Sequence, residues 1–186
     1  NCKNIKIIAR HGVGYDNVDL DYLNKNKIAL GITGTSNAVS VAEHVLTSFL
    51  YLTKNIHLSD KLTREGNFKN KSSLPNFFEL YQKKILILGF GRIGKAVAKR
   101  CKGFDASVYV YDPFVKTEDI ENNGWITINK EEGIRIADYI TVHLPLNDKT
   151  RNFISSKEFS SMKKTSIIVN SARGGIVNEG SLIEAL

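Results

Sequence analysis

Ile85-Leu-Ile-Leu-Gly-Phe-Gly-Arg-Ile-Gly94 is the stretch whose reading decides the fold. Its first four residues form a continuous apolar run, the pattern of a parallel strand covered on both faces. From Arg92 to Cys101 the apolar residues Ile93, Ala96, Val97 and Cys101 recur at helical spacing. A bare Gly-x-Gly-x-x-Gly means little, but between such a strand and such a helix it is the dinucleotide fingerprint. Gly89 permits the tight turn from strand to helix. Gly91 lets the backbone approach a pyrophosphate, and Gly94 lets helix and strand pack closely. The pyrophosphate would rest on the free N–H groups at the helix N-terminus, with Arg92 adding a charge-assisted contact.

The next strand, Ser107-Val-Tyr-Val-Tyr111, ends at Asp112, near the twenty-residue offset the fingerprint requires. A carboxylate there accepts from the adenosine ribose hydroxyls and repels a 2′-phosphate, which selects NAD over NADP. Beyond it the patterns alternate. A helix-like stretch covers 117–123, a short apolar segment 125–128, a helix 131–137, a strand 139–144, a helix 155–162 and a strand 166–169. Strands separated by helices predict an α/β chain with a doubly wound parallel sheet and helices on both faces.

Upstream, Ile5 to Ala9 and Ile28 to Ile32 read as short strands, the first followed by the glycine-bearing turn Arg10-His-Gly-Val-Gly14. A helix is predicted from about Ser40 to His57, carrying Val41, Val45, Leu46, Phe49, Leu50 and Leu52 on one stripe. Asn37 or Ser40 would cap it, Glu43 completing a capping box with Ser40. Residues 63–82 are polar and lysine-rich, a surface excursion, and Gly103 is the expected stop of the helix that begins at Arg92. The first thirty-odd residues fit the sheet poorly and read as the end of a separate domain, joined through the turn at 33–37.

The chain has 186 residues, enough for a core that needs neither disulfides nor a structural metal. Its 26 Lys and Arg against 19 Asp and Glu give a net charge of +7, but the lysines are scattered, and no nucleic-acid motif or aromatic stacking platform accompanies them. No nucleic-acid partner is expected. No apolar run is long enough to span a membrane and no signal peptide opens the chain, so no membrane partner is expected either. Cys2 and Cys101 have no metal-ligand spacing, and so few cysteines suit a reducing cytosol; no metal is expected and the location is read as cytoplasmic. The chain starts at Asn1 and stops at Leu186 within a fresh amphipathic pattern, and it is read as a piece of a longer protein.

Five segments in order resemble the D-isomer-specific 2-hydroxyacid dehydrogenases, a family that includes phosphoglycerate dehydrogenase and hydroxypyruvate reductase. Gly12-Val-Gly-Tyr-Asp-Asn-Val-Asp19 looks like the family's substrate loop, and Val41-Ala-Glu43 like the start of its long interdomain helix. Gly89 to Gly94 is the nucleotide loop. Ala137-Asp-Tyr-Ile-Thr-Val-His-Leu-Pro-Leu146 is similar to the strand over the cofactor. Asn170-Ser-Ala-Arg-Gly-Gly-Ile-Val177 resembles the most specific signature.

The resemblance implies two doubly wound domains with the active site between them. Residues 37–186 would be an incomplete NAD-binding Rossmann domain, and residues 1–36 a fragment of a flavodoxin-like substrate domain. It implies NAD contacts at Thr33, Arg92, Ile93, Asp112, Leu144, Pro145, Ser171, Ala172 and Arg173, besides the three glycines. The backbone at Val13 and Gly14 would face the carboxylate of a small 2-hydroxy or 2-keto acid. Arg173 would be catalytic. It follows the Ile167–Val169 strand at the ligand-binding edge of the sheet, and a guanidinium fork can hold a carboxylate and polarise the adjacent keto oxygen. The proton donor is a histidine paired with a glutamate, which the family places downstream of Leu186. His143 is therefore read as a packing residue near the cofactor rather than the acid, although it ends a strand at the same edge. His11 lies by the substrate loop, His44 and His57 are helix residues without chemical duty, and Cys101 is inert core. A homodimer through the 41–57 helix is implied.

Four positions depart from the pattern: Gly34 stands where proline is common, Phe68 where tryptophan is common, Asn178 where aspartate is usual, and Gln82 where a glycine often precedes the first strand of the nucleotide domain. None belongs to the hydride-transfer apparatus, so they bear on subfamily. The activity implied is hydride transfer between nicotinamide and C2 of a D-2-hydroxy or 2-keto acid, of the phosphoglycerate, hydroxypyruvate or glyoxylate type. The alternative is a non-catalytic NAD-sensing module like the corepressor relatives of the family.

Overall fold

The computed structural model describes residues 4–34 and 36–186. Cys2 and the starting residue Asn1 lie outside the described residues, as does position 35 in the turn at 33–37.

The apolar run becomes β3 (Lys84–Leu88), with β4 (Ser107–Tyr111) on one side and β6 (Tyr139–Val142) on the other. β5 (Ile126–Thr127) extends the sheet beyond β4, and β7 (Ile167–Asn170) extends it beyond β6. All pairings are parallel and the order is β5-β4-β3-β6-β7. The chain thus builds outward from β3 to one edge and then returns to the other side. The connections leaving the carboxyl ends of β3 and β6 diverge, which opens a crevice where doubly wound sheets take ligands.

The alternation along β3 explains why four consecutive apolar residues are needed. Ile85 and Ile87 enter one buried cluster, with Val45 and Phe49 of α2 (Ala38–Thr53) and Val97 and Cys101 of α4 (Arg92–Cys101). Leu86 and Leu88 enter the opposite cluster, with Ile134 of α6 (Lys130–Ile136), Ile140, Val142 and Ile154. None of the four β3 side chains has any exposed surface. α5 (Thr117–Glu121), α7 (Ser156–Ser161) and α8 (Glu179–Ala185) complete the five-stranded part, Asn178 capping α8 by accepting from the Ser181 N–H. On the first face the Thr53 and Tyr139 hydroxyls share a buried hydrogen bond of 3.0 Å, and Tyr139 tilts against Phe49 at 5.0 Å.

β1 (Ile7–Arg10) and β2 (Ala29–Ile32), joined through α1 (Leu20–Lys25), pair in parallel, and among the described residues only with each other. Leu23 is the one buried side chain among described residues 4–34.

Three local expectations are corrected. The helix expected to reach His57 stops at Thr53. Asn55 takes a left-handed conformation (φ 47°), and α3 (Ile56–Arg64) starts afresh. Asparagine tolerates that region, which stripe periodicity does not register. The Ser40–Glu43 capping box is absent because α2 begins at Ala38, placing Ser40 inside the helix. Asn37 stands at the N-cap without a side-chain bond, and Glu43 instead pairs with Arg100 of α4 at 3.1 Å. Gly103 does not end α4. A 3-10 turn continues over Lys102–Phe104, and the left-handed residue is Asp105 (φ 52°). Residues 63–82 begin with the end of α3 and include a 3-10 segment at Phe68–Ser73.

Candidate functional site

At the end of β3, Gly89 has a φ of +96°, and its N–H donates to the Tyr111 carbonyl at 2.9 Å. A Cβ there would lie 2.8 Å from the His143 carbonyl oxygen, so the position is closed to side chains both by conformation and by space. Gly94 sits directly against the Gly89 carbonyl, and a Cβ on it would lie 3.2 Å from Ile87 Cγ2. The glycine is what lets α4 reach the sheet. Gly91 is the N-cap of α4, and the first helical bond runs from the Lys95 N–H to the Gly91 carbonyl at 3.0 Å. The amides ahead of it have no intrahelical acceptor. A Cβ on Gly91 would meet nothing within 4 Å, so the space before these amides is open. Free N–H groups, an open approach and the positive end of a helix fit a pyrophosphate.

Asp112 leaves the end of β4 and turns back to this loop. Its Oδ2 accepts from the Phe90 N–H at 2.7 Å and its Oδ1 from the Phe114 N–H at 2.9 Å. The spacing of Asp112 predicts a ribose contact and carries no trace of this loop contact. Arg92 Nη1 donates to the Gly34 carbonyl, in the turn after β2.

Arg92, Gly91, Ile93 and His143 border a cavity of about 270 Å³ that also reaches Val13 and Asn37. His143 Nε2 lies 2.9 Å from Thr141 Oγ1, and its Nδ1 lies 3.5 Å from Ser171 Oγ. Burial pushes the imidazole down to about 4, leaving it neutral near pH 7. Leu144 is buried beside it, whereas Pro145 is exposed and its carbonyl accepts from Thr150 Oγ1 at 2.5 Å. Thr33 ties the end of β2 to the glycine turn, its Oγ1 accepting from the Gly12 N–H at 2.7 Å.

The neighbouring cavity, about 360 Å³, brings Arg173 together with Arg10, Val13, Gly14, Asp16 and Asn37. Asn170, at the end of β7, shapes the loop that carries the arginine. Its Oδ1 accepts from the Ala172 N–H at 3.1 Å and its Nδ2 donates to the Arg173 carbonyl at 2.8 Å. Arg173 Nη1 donates to the Ala172 carbonyl at 2.8 Å, and Nε pairs with Asp16. A Cβ on Gly14 would coincide with the guanidinium, so this glycine admits the arginine. The hydrogen bond from Arg173 holds the Asp16 carboxyl below the usual carboxylate range.

The structure therefore gathers Val13, Gly14 and Arg173 in one cavity, and Gly91, Arg92, Ile93 and Gly94 in the adjoining one. Arg10, Asp16, Asn17 and Asn37 also line these cavities, and the sequence does not mark them as site residues. Asp16 lies within the segment that resembles the substrate loop, where the resemblance implies a role only for the backbone at Val13 and Gly14. Asn37, expected only as a helix cap, borders both cavities, and among the described residues its buried Oδ1 has no hydrogen-bond partner. Cys101 is fully buried and its thiol is pushed up to about 12, which suits inert core. His44 is exposed on α2, and His57 stacks on Tyr51 at 5.5 Å. Among the described residues no group of three or more His, Cys, Asp or Glu could hold a metal ion, and no helix is long and apolar enough to cross a membrane.

Residues 46–186 match the family model described as D-isomer specific 2-hydroxyacid dehydrogenase, NAD binding domain. The chain belongs to that family. NAD is the cofactor of this D-2-hydroxyacid dehydrogenase domain, in keeping with the open loop at Gly91. The D-3-phosphoglycerate dehydrogenase of Archaeoglobus fulgidus is 38% identical over 184 residues, covering 99% of this chain and 34% of its own. The chain thus spans about a third of the length of the curated relatives it matches. Among solved structures, a Granulicella formate dehydrogenase superposes with a TM-score of 0.90 at 30% identity, over 97% of this chain and 49% of the other. A D-lactate dehydrogenase from Aquifex aeolicus, complexed with NAD and lactic acid, gives 0.86 at 31% identity over 97% and 54%.

Proposed function

We propose that the protein carrying this chain is an NAD-dependent dehydrogenase of small D-2-hydroxy acids, with a substrate of the phosphoglycerate, hydroxypyruvate or glyoxylate type. The observation that carries this reading is Arg173, set against Gly14 in a cavity that adjoins the glycine-loop cavity at the carboxyl edge of the sheet. Bound NAD supplies the hydride acceptor or donor. Asp112 holds the adenosine ribose, the amides from Gly91 onward take the pyrophosphate, and Thr33, Arg92, Leu144, Pro145, Ser171 and Ala172 border the cofactor.

Substrate binding is a matter of donors. Arg173 has Nε and one Nη1 hydrogen committed, while Nη2 faces Gly14. The fork offers its outer edge to a substrate carboxylate, with the Val13 and Gly14 backbone beside it. From there the positive charge polarises a C2 carbonyl and stabilises the oxygen charge that develops as hydride arrives. His143 is not assigned the proton-donor role. An imidazole that titrates near 4 is neutral at physiological pH and has no imidazolium to offer. The histidine–glutamate pair is assigned to residues outside this chain.

We draw the domain boundary at 36/37, the two-stranded part belonging to the substrate domain. The protein is assigned to the cytosol, where the free thiol of Cys101 would stay reduced. A homodimer is proposed through the helical residues 41–57, where Tyr51, Leu52 and Ile56 are exposed beside the exposed Phe77 and Phe78.

The test is steady-state turnover. The full-length protein should reduce at least one of hydroxypyruvate, glyoxylate or phosphohydroxypyruvate with NADH. Arg173→Gln should lose about a hundredfold or more in kcat/KM, with NADH affinity changed less than threefold. Absence of turnover with any small 2-keto acid, alongside intact NADH binding, would replace this reading with the NAD-sensing one.

A further inference from the structure

Asp112 has two contacts that its role as a ribose acceptor does not require. The Phe90 amide belongs to the glycine loop itself, lying between Gly89 and Gly91, and it is bound by Oδ2 at 2.7 Å. The amide before it, Gly89 N–H, is bound by the Tyr111 carbonyl at 2.9 Å. The end of β4 thus takes two successive N–H groups of the loop, and the groups left to face a phosphate begin at Gly91. Phe90 is held on its other side as well. Its ring is 1% exposed and meets Trp125 edge-on at 5.3 Å, with Lys95 Nζ 5.7 Å from the ring centroid.

We propose that Asp112 is a positioning residue for the phosphate-binding loop, so that one carboxylate sets both which dinucleotide is accepted and how firmly its phosphate is gripped. This rests on the reading that the cleft takes NAD. The two duties are compatible because a carboxylate offers about four lone-pair sites and the protein uses one on each oxygen. Without the acceptor the Phe90 N–H is left unsatisfied beside the buried base of the loop, and the peptide is free to rotate about the left-handed Gly89. The array of amides starting at Gly91 then loses its fixed origin. Replacing Asp112 to admit NADPH would therefore remove repulsion and damage the phosphate site in one step.

The distinguishing ligand is reduced nicotinamide mononucleotide, which has the nicotinamide, one ribose and one phosphate but no adenosine ribose. Its binding, with that of NADH and NADPH, would be measured by fluorescence titration on the full-length protein and on Asp112→Ala and Asp112→Asn. Positioning by Asp112 requires that Asp112→Ala weaken the mononucleotide about tenfold. Asp112→Asn, which keeps one acceptor oxygen, should recover part of that loss. Hydrogen exchange supplies a ligand-free readout: the Phe90 amide should be protected in the parent and exchange at least tenfold faster in Asp112→Ala, while amides at the centre of β3 hold their protection. Unchanged mononucleotide affinity, with NADH weakened, would leave the ribose role standing and overturn the positioning role. So would an unchanged Phe90 exchange rate. NADH affinity indifferent to both substitutions would instead remove the ribose reading.

Discussion

Arg173 and His143 face the same crevice, and their environments assign them opposite work. Arg173 is partly exposed and tied by one edge to Asp16, so its remaining donors stay available. His143 is half-buried at the wall of the crevice, and burial drives its imidazole down to about 4 from 6.5. That difference has a consequence for stability. Because the folded pKa is depressed, the unfolded chain binds a proton at His143 that the folded chain refuses between about pH 6.5 and 4. Stability from this site is fully present above pH 6.5 and declines as the pH falls through that window, by an amount on the order of 1–3 kcal/mol. We expect the loss of unfolding free energy between pH 7 and pH 5, read from urea titrations, to shrink in His143→Gln. An identical loss in parent and variant would show that this imidazole is not what titrates.

The element that shapes the crevice is the β3–loop–α4 unit, and its tolerances are tight. α4 cannot retreat from the sheet because Val97, Ala98 and Cys101 have no exposed surface. A methyl group on Gly94 must therefore displace the Gly89 carbonyl or Ile87. Gly94→Ala should cost about 1–3 kcal/mol of unfolding free energy and weaken NADH by moving the loop. A stability change below about 0.5 kcal/mol in a urea titration would mean that helix and strand have more room than this geometry allows. The same unit was the most legible part of the sequence. Ile85–Leu88 and Arg92–Cys101 lie within one residue of β3 and α4, because a buried strand and an amphipathic helix write their periods directly into the chain. α2 was less legible. Its stripe continues through Asn55, where the backbone turns left-handed, and a hydrophobic period does not record one residue's φ.

At the scale of the whole molecule, the buried side chains lie overwhelmingly in the five-stranded part, while α2 and α3 leave apolar side chains uncovered. Tyr51, Leu52 and Ile56 are each more than 40% exposed, and so are Phe77 and Phe78 in the segment that packs back on Thr53. If this face joins two copies, the double variant Leu52→Glu, Phe78→Glu should shift the full-length protein from dimer to monomer in light scattering at micromolar concentration. A dimer that persists through both charges would move the interface elsewhere. Family and cofactor class were legible at this scale from five short segments in order. The crossing contacts were not: Arg173 to Asp16 joins residues 157 positions apart, and Arg92 to Gly34 joins residues 58 apart.

The sequence by itself determined the α/β class and the nucleotide loop, because each rests on local periodicity or on residues with special backbone freedom, and it carried the arginine signature as a resemblance to the family. Tertiary structure alone decided what those residues touch. Asp112 closes on the Phe90 amide because β4 lies beside β3 in register, Leu88 opposite Tyr111. His143 is neutral because the fold withdraws much of the ring from water, not because of its neighbours in the chain. Contacts of that kind depend on strand order and burial, which follow from how the whole chain packs.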